Sequence, residues 1–339
     1  MERKTQITIK DIARELGISP STVSRALKNH PDISSKTKEA VHELAQKYHY
    51  KPNAVALSLR SSKTHMIGVV IPKVVHFFFS SVISGIEHVA NEAGYNVMIC
   101  QSDENEEREI TSIQTLTSSR VDGILASVSK DTTDFTHFKE LVQNNIPLVF
   151  FDRAAADIKT DKVIIDDLEG AFIATEHLIL KGCRKIVHLA APQNLTIGTK
   201  RKEGYIKALQ KHHIPVDESL IIKCDNREEA LVVMRKLYES GIRPDGVFAV
   251  NDLTATGVLK VVKQFGYRIP EDVKVVGFSD GFVAYVTDPT LTTIDQHGFE
   301  MGREAAQLLL DRINETIENY SPITKIITTN LIVRESTGG

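Results

Sequence analysis

The sequence predicts two architectures in one chain: an N-terminal all-α helix-turn-helix head, and an α/β body of two doubly wound parallel-sheet subdomains. Three observations predict it. Residues 8–60 hold short, capped stretches of helical periodicity and no strand-like run. From residue 66 onward, short continuous apolar runs alternate with helical stretches, as in parallel strands covered on both faces. Charge is also divided: residues 1–63 hold 12 Lys and Arg against 6 Asp and Glu, net +6, and the remainder holds 29 against 38, net −9. The whole-chain value of −3 hides a cationic head on an anionic body, the asymmetry expected when only the head meets phosphates.

In the head, Thr8 is an N-cap with Asp11 as its acidic partner, and Ile9, Ile12, Ala13 and Leu16 form an apolar stripe that Gly17 ends. Ser19 caps a second helix with Pro20 at its first position, where a missing N–H costs nothing. Val23, Ala26 and Leu27 face inward; Ser21, Thr22, Ser24, Arg25 and Lys28 face outward. Two helices joined by a tight turn, the second showing hydroxyls and cations, fit a recognition helix in a DNA major groove. An ordinary helical bundle has a polar face too, but the tight turn and the local charge favour the DNA reading. A third helix starts at Ser34, with Lys36 and Thr37 near its N-terminus, where backbone N–H groups suit a phosphate. After Tyr50 and Pro52, Asn53 can cap Ala54 to Arg60, about two turns and too short to be stable alone. Two readings stay open there: a hinge helix ordered by DNA and a second copy, with Leu59 as a minor-groove wedge, or a plain linker helix. The DNA-facing set is Thr8, Ser19, Pro20, Ser21, Thr22, Ser24, Arg25, Lys28, Ser34, Thr37, Tyr50, Asn53, Ala56 and Leu59.

Strand-like runs in the body fall at 66–71, 95–100, 121–126 and 147–151, with helices expected over 80–93, 105–118 and 134–144. A second series begins at 163–166 and continues at 185–190, 219–223, 246–250 and 273–278. Strands near 323–328 and 330–334 and a helix at 298–314 do not fit a simple second sheet.

Several classes are disfavoured. The first residues lack the apolar core of a signal peptide, and no run approaches the ~18 apolar residues of a membrane helix, so a cytoplasmic protein without a membrane partner is expected. Cys100, Cys183 and Cys224 are widely spread, unlike any zinc spacing, and read as reduced structural thiols. No metal and no cofactor is expected: there is no dinucleotide or phosphate-loop glycine motif. Gly277-Phe278-Ser279-Asp280-Gly281 matches the nucleophile elbow G-x-S-x-G. A serine hydrolase is therefore an alternative, but Asp288-Pro289 interrupts the helix an elbow needs, and the only later histidine is His297, two residues after Asp295. A pure small-molecule binding protein would fit the body but leaves the cationic head unexplained.

TIKDIARELGISPSTVSRAL, followed by KTKEAV and KPNAVALSL, resembles the DNA-binding head and hinge of the lactose-repressor/galactose-repressor family of bacterial transcription regulators. The similarity continues through IGVVIP, VDGILAS, IPLVFFDR, RKEGYIKAL, FAVND, VVGF, PTLTTIDQ, EMG and LIVRES. It implies a periplasmic-binding-protein-like body whose chain crosses three times between subdomains. On that basis residues 1–52 are the head, 53–64 the hinge helix and linker, and 65–339 the body. The N-subdomain is placed at about 65–162 and 292–322, the C-subdomain at about 163–291 and 323–339. The resemblance further implies a repressor, not an enzyme, that binds a palindromic operator as a dimer and is switched by a small molecule, a sugar or sugar derivative, in the interlobe cleft. The short C-terminal end favours a dimer over a tail-bundled tetramer.

Open α/β sheets bind ligands beyond their strand C-termini. Candidate effector contacts there are Phe78 and Phe79 after the first strand, Asp152, Asp166, Asn251, and Ser279 with Asp280. Aromatic faces beside bidentate polar groups suit a sugar, although strand-end carboxylates such as Asp166 often cap the next helix instead. Arg201 aligns with an arginine that contacts effectors in several family members. Two departures stand out. His76-Phe77 replaces a common Asn-Pro, and Ser279 replaces a common effector-binding Asp, with Asp280 as the neighbouring substitute.

Overall fold

The computed structural model describes residues 7–50, 63–314 and 321–339. Two compact units divide the chain between Thr64 and His65. The expected hinge helix, with Asn53, Ala56 and Leu59, lies outside the described residues.

Three helices make the first unit: α1 (Ile9–Glu15), α2 (Pro20–Leu27) and α3 (Ser35–Lys47). Each begins where a side chain closes its first turn. Thr8 donates its N–H and its hydroxyl to Asp11 Oδ2, at 2.9 and 2.7 Å. Ser19 Oγ accepts from Thr22 N at 3.1 Å, and Ser34 Oγ accepts from Thr37 N at 3.3 Å. Such caps contribute about 1 kcal/mol each. Gly17 turns the chain at φ +65, in the left-handed region. Ile12, Ala13, Val23, Ala26, Val41 and Ala45 make the small core.

Two six-stranded sheets with matching strand order make the second unit. The first runs β11-β5-β4-β3-β1-β2 and is parallel throughout, with β1 (Met66–Ile71), β2 (Asn96–Gln101), β3 (Gly123–Ala126), β4 (Leu148–Phe151), β5 (Asp161–Ile165) and β11 (Thr324–Ile327). The other runs β12-β10-β9-β8-β6-β7, with β6 (Ile186–Ala190), β7 (Ile221–Lys223), β8 (Gly246–Ala249), β9 (Lys274–Ser279), β10 (Thr292–Asp295) and β12 (Asn330–Ile332). Here β12 alone is antiparallel, against β10. The fold class is the one the alternating runs predicted. Strands β3, β4, β6 and β8 are buried along their whole length, whereas β2, at a sheet edge, mixes exposed and half-buried residues.

The helices are α4 (Phe77–Glu92), α5 (Glu106–Ser118), α6 (Thr136–Gln143), α7 (Asp167–Leu180), α8 (Thr196–Lys211), α9 (Arg227–Glu239), α10 (Asp252–Gln264), α11 (Phe282–Val286) and α12 (Gly298–Asn314). Glycines set two close crossings. A Cβ on Gly85 would strike the Phe299 carbonyl oxygen, and one on Gly302 would strike that of Val82, so α4 and α12 touch backbone to backbone. Gly204 does the same for α8 against the Leu168 carbonyl of α7.

All three crossings between lobes fall later than expected. The strand at 161–165 pairs with β4, so the 163–166 run closes the first sheet instead of opening the second. Likewise β10, at 292–295, belongs to the second sheet, and β11, at 324–327, to the first. An apolar run does not name its neighbour; pairing register decides that. The SLIIK run (219–223) is strand only from Ile221, its start being a 3₁₀ turn at Glu218–Leu220.

Gly302→Ala should destabilise the first lobe by about 1–3 kcal/mol through overpacking, read as a lower thermal midpoint with an unchanged fold by circular dichroism. An unchanged midpoint would show that the α4–α12 crossing tolerates a wider separation.

Candidate nucleic-acid interface and interlobe cleft

In the head, α2 buries Val23 and Ala26 and leaves Pro20, Ser21, Arg25 and Lys28 exposed, with Thr22 and Ser24 half-buried. Among the described residues, no side-chain hydrogen bond or ion pair engages Arg25 or Lys28, so both cations are available to an outside partner. Ser19 Oγ lies 2.7 Å from Ser21 Oγ and 2.9 Å from Thr22 Oγ1, which orders the first turn of α2 as a hydroxyl cluster. Ser34 and Thr37 pair similarly, at 2.8 Å, on α3. Thr8 is exposed at the start of α1. Tyr50 differs from expectation: it is half-buried against the head core, and burial raises its hydroxyl pKa.

In the second unit, the carboxyl ends of both sheets face one cavity of about 300 Å³. Its wall draws on the segment after nearly every strand: His76, Phe78 and Phe79 after β1, Glu104 after β2, Lys130 after β3, Asp152 and Arg153 after β4. The opposite wall holds Asp225 after β7, Asn251 after β8, Ser279 at the end of β9 and Gln296 after β10, with Arg201 from α8.

Arg201 is almost fully buried and tightly held. Its Nε donates to Asp167 Oδ1 at 2.8 Å, its Nη1 to the Val250 carbonyl at 2.7 Å, and its guanidinium lies 3.7 Å from the Phe278 ring centroid. Asn251 caps α10, its Oδ1 accepting from Thr254 N at 2.8 Å, and donates Nδ2 to the Asp225 carbonyl at 2.7 Å. Phe78 and Phe79 pack edge to face, 5.2 Å apart, with most of their surface in the core. Ser279 donates Oγ to Gln296 Oε1 at 2.7 Å.

Two expected contacts do not reach the cavity. Asp166 caps α7, accepting from Glu169 N at 3.0 Å, because a strand-end carboxylate finds the nearest free helix N–H first. Asp280 does not stand in for the missing family carboxylate. It turns away at φ +52 and accepts from Tyr285 OH at 2.8 Å, with Arg334 Nη2 2.7 Å off.

Glu104, Lys130, Arg153, Asp225 and Gln296 line the cavity without being among the contacts the sequence marks. Glu104 accepts from Arg153 Nη1 at 3.0 and 2.7 Å, and Gln296 holds Ser279. In the FFDR run Arg153 directly follows Asp152, a position the sequence does mark. Glu104 sits in an acidic stretch with no distinguishing pattern.

Asp152 is the exception among these paired charges. It is 7% exposed, its backbone is left-handed at φ +58, and among the described residues no side-chain hydrogen bond engages its carboxylate; Arg153 Nε is 3.8 Å away. That Nε is itself buried without a hydrogen-bond partner. Burial pushes the Asp152 carboxyl up to about 6, with Arg153 opposing the rise. With only that longer contact to Arg153, the carboxylate keeps acceptor capacity free, and the cavity is where a donor would arrive.

The elbow geometry is also absent. Ser279 hydrogen-bonds Gln296, while His297 is taken up by Asp295 at 3.0 Å and Asn330 at 3.0 Å.

A three-helix head with exposed cations on its second helix, followed by a two-lobed α/β unit with a polar interlobe cavity, defines a ligand-responsive DNA-binding regulator. Residues 8–53 match the family described as bacterial regulatory proteins, lacI family, and residues 175–337 match the periplasmic binding protein-like domain. The ribose operon repressor of Halalkalibacterium halodurans is 34% identical over 98% of this chain and 97% of that one. The chain therefore belongs to the lacI family of transcriptional repressors, and it is not an enzyme. Among solved structures, the transcriptional regulator CelR in complex with cellobiose is 30% identical with a TM-score of 0.74, covering 97% of this chain and 99% of its own. The lac repressor dimer bound to operator and the anti-inducer ONPF shares the fold, with a TM-score of 0.87 at 23% identity over 98% and 99% of the two chains.

The raised Asp152 carboxyl yields a pH-dependent expectation. Its folded value of about 6 exceeds the ordinary 3.8, so the folded state holds an extra proton between those values and stability falls as pH rises through them. Asp152→Asn should therefore stabilise the unliganded protein on the order of 2 kcal/mol above pH 6, with the gain vanishing below about pH 4. Denaturant melts at pH 4 and 7.5 measure it; equal effects at both would locate the cost elsewhere.

Proposed function

We propose that this protein is a repressor that binds a palindromic operator as a homodimer and is switched by a sugar or sugar-like effector in the interlobe cavity. The observation that carries the DNA half is the unengaged Arg25 and Lys28 on the exposed face of a capped, core-anchored α2. Arg25 reads a guanine edge, while Ser21, Thr22, Ser24 and Lys28 contact bases or backbone. Ser19, Pro20, Thr8, Ser34 and Thr37 set the helix N-termini that meet phosphates. Asn53, Ala56 and Leu59 are assigned to the hinge on the family resemblance alone. A regulator that reads chromosomal DNA acts in the cytoplasm.

For the effector half, Asp152 and Arg153 Nε supply an unmet acceptor and an unmet donor side by side, the pairing that vicinal hydroxyls satisfy. Phe78 and Phe79 offer apolar faces, and Arg201, Asn251, Ser279 and Gln296 frame the opposite wall. Relatives named for ribose and cellobiose make these sugars the first probes. The effector releases or strengthens operator binding according to which state of the body it prefers.

Pairing of two copies rests on exposed apolar side chains. Phe282, Tyr285 and Val286 on α11 are each more than half exposed, and Val75 and Phe77 lie nearby, across a second cavity that Phe77 and Phe282 share. A patch of this kind on a soluble protein marks an interaction site. A second copy is the occupant that operator symmetry requires.

Selection of bound fragments from random DNA tests the reading directly, since an enriched pool without an inverted repeat would sink it. Arg25→Ala should then cost about 1–3 kcal/mol on the selected operator and relax preference at one base pair in each half. Equal loss on unrelated DNA would make Arg25 a phosphate contact. A thermal-shift screen of ribose, cellobiose, sugar phosphates and nucleosides identifies the effector class. Removing Arg201 is a poor probe, because it would leave Asp167 buried without its partner.

A further inference from the structure

One loop of the first lobe is held with unusual completeness and reaches across the cleft. Residues 127–134 leave β3, and three glutamates at the start of α5 bind the loop's backbone. Glu109, fully buried, accepts from Ser129 N at 2.6 Å and from Thr132 Oγ1 at 2.8 Å, and its other partner is His137 Nε2 at 3.0 Å. Glu104 accepts from Lys130 N at 2.9 Å, and Glu106 from Thr133 N at 3.1 Å. With its backbone so fixed, the loop carries Lys130 outward over the cavity mouth.

Across the cleft, Lys130 Nζ meets Asp225 Oδ2 at 3.3 Å, and the Lys130 carbonyl accepts from Asn194 Nδ2. The receiving side is fixed too. Asp225 donates its N–H to Glu229 Oε2 at 3.2 Å, and its carbonyl accepts from Asn251 Nδ2 at 2.7 Å. Both side chains of the ion pair are mostly buried, 30% and 18% exposed, which shields them from full solvent screening.

We propose that the 127–134 loop is a closing latch, in which the Lys130–Asp225 ion pair holds the two lobes together before any ligand arrives. Two ends with fixed backbones make the contact cheaper, since little backbone freedom is lost when the lobes meet. Being one partly exposed ion pair, it sets a closed population without locking it, the condition under which a ligand can shift the balance. Glu104 ties the latch to the ligand site, because the carboxylate that holds Lys130 N also holds Arg153, which abuts Asp152. Lys130 and Glu104 are thus positioning residues. The link through Arg153 rests on the effector reading above; the latch itself does not.

Amide hydrogen exchange on the full-length, unliganded protein tests the latch by reading second-lobe peptides that face the cleft, 190–197 and 248–253. Lys130→Met should speed their exchange about two- to fivefold, the range expected for one partly exposed ion pair. Asp225→Asn should do the same. The charge-reversed double variant Lys130→Asp with Asp225→Lys should restore protection, which a merely structural role for either side chain would not. Raising sodium chloride should speed exchange in the wild type and leave Lys130→Met unchanged. Wild-type exchange in both single variants overturns the latch, as does a double variant no better than the singles. Because no effector is present, failure here leaves the effector reading standing, and failure of ribose or cellobiose to bind leaves the latch standing.

Discussion

Charge removed from water has to be paired, and this requirement organises the cleft. Arg201 is matched to Asp167, Arg153 to Glu104 and Lys130 to Asp225. Each pair joins segments far apart in sequence, so building the cavity and holding the chain together are the same act. A lone buried charge costs several kcal/mol, which makes these pairs mutually dependent. Against that background Asp152 stands out as a carboxylate whose charged partner, Arg153 Nε, stays 3.8 Å away, beyond hydrogen-bond distance, on a backbone that is left-handed at φ +58.

A similar economy governs the end of β9. Ser279 and Asp280 both have positive φ, at 125 and 52, conformations that cost non-glycine residues free energy. The neighbouring Asp252 holds the turn by accepting from Gly281 N at 2.7 Å and Thr293 Oγ1 at 2.6 Å. Burial pushes its carboxyl up to about 6 despite those bonds. The turn sends Ser279 into the cleft and Asp280 towards Tyr285 and Arg334.

The head works by different means. Its core is six small or branched side chains, too few to hold a large unit, and much of its order comes from local devices: three capped N-termini and one left-handed glycine. Local devices are visible in sequence. Thr8 with Asp11, Ser19 with Pro20, and Ser34 were all readable as helix starts, and all three helices begin within a residue of those caps. The outward set on α2 followed from the same periodicity. Tyr50 did not, since a tyrosine after a helix end reads equally as a surface contact or as a lid on the core, and only packing separates the two.

The same division holds for the body. Apolar runs at 66–71, 147–151, 185–190 and 246–250 determined by themselves that parallel strands form there, because a run buried on both faces has few alternatives. They also determined that strand ends such as Asp152, Asn251 and Ser279 border the cleft. Which sheet received the strands at 161–165, 292–295 and 324–327 was decided only by tertiary pairing, since hydrogen-bond partners are not written in a run of valines and isoleucines. Glu104 and Gln296 likewise became cavity residues only on folding, and Asp166 and Asp280 were drawn away from it by nearer partners. Sequence determined what each segment can be; the three-dimensional structure decided which charges meet, because Coulombic and hydrogen-bond partners are chosen by distance in space and not by spacing along the chain.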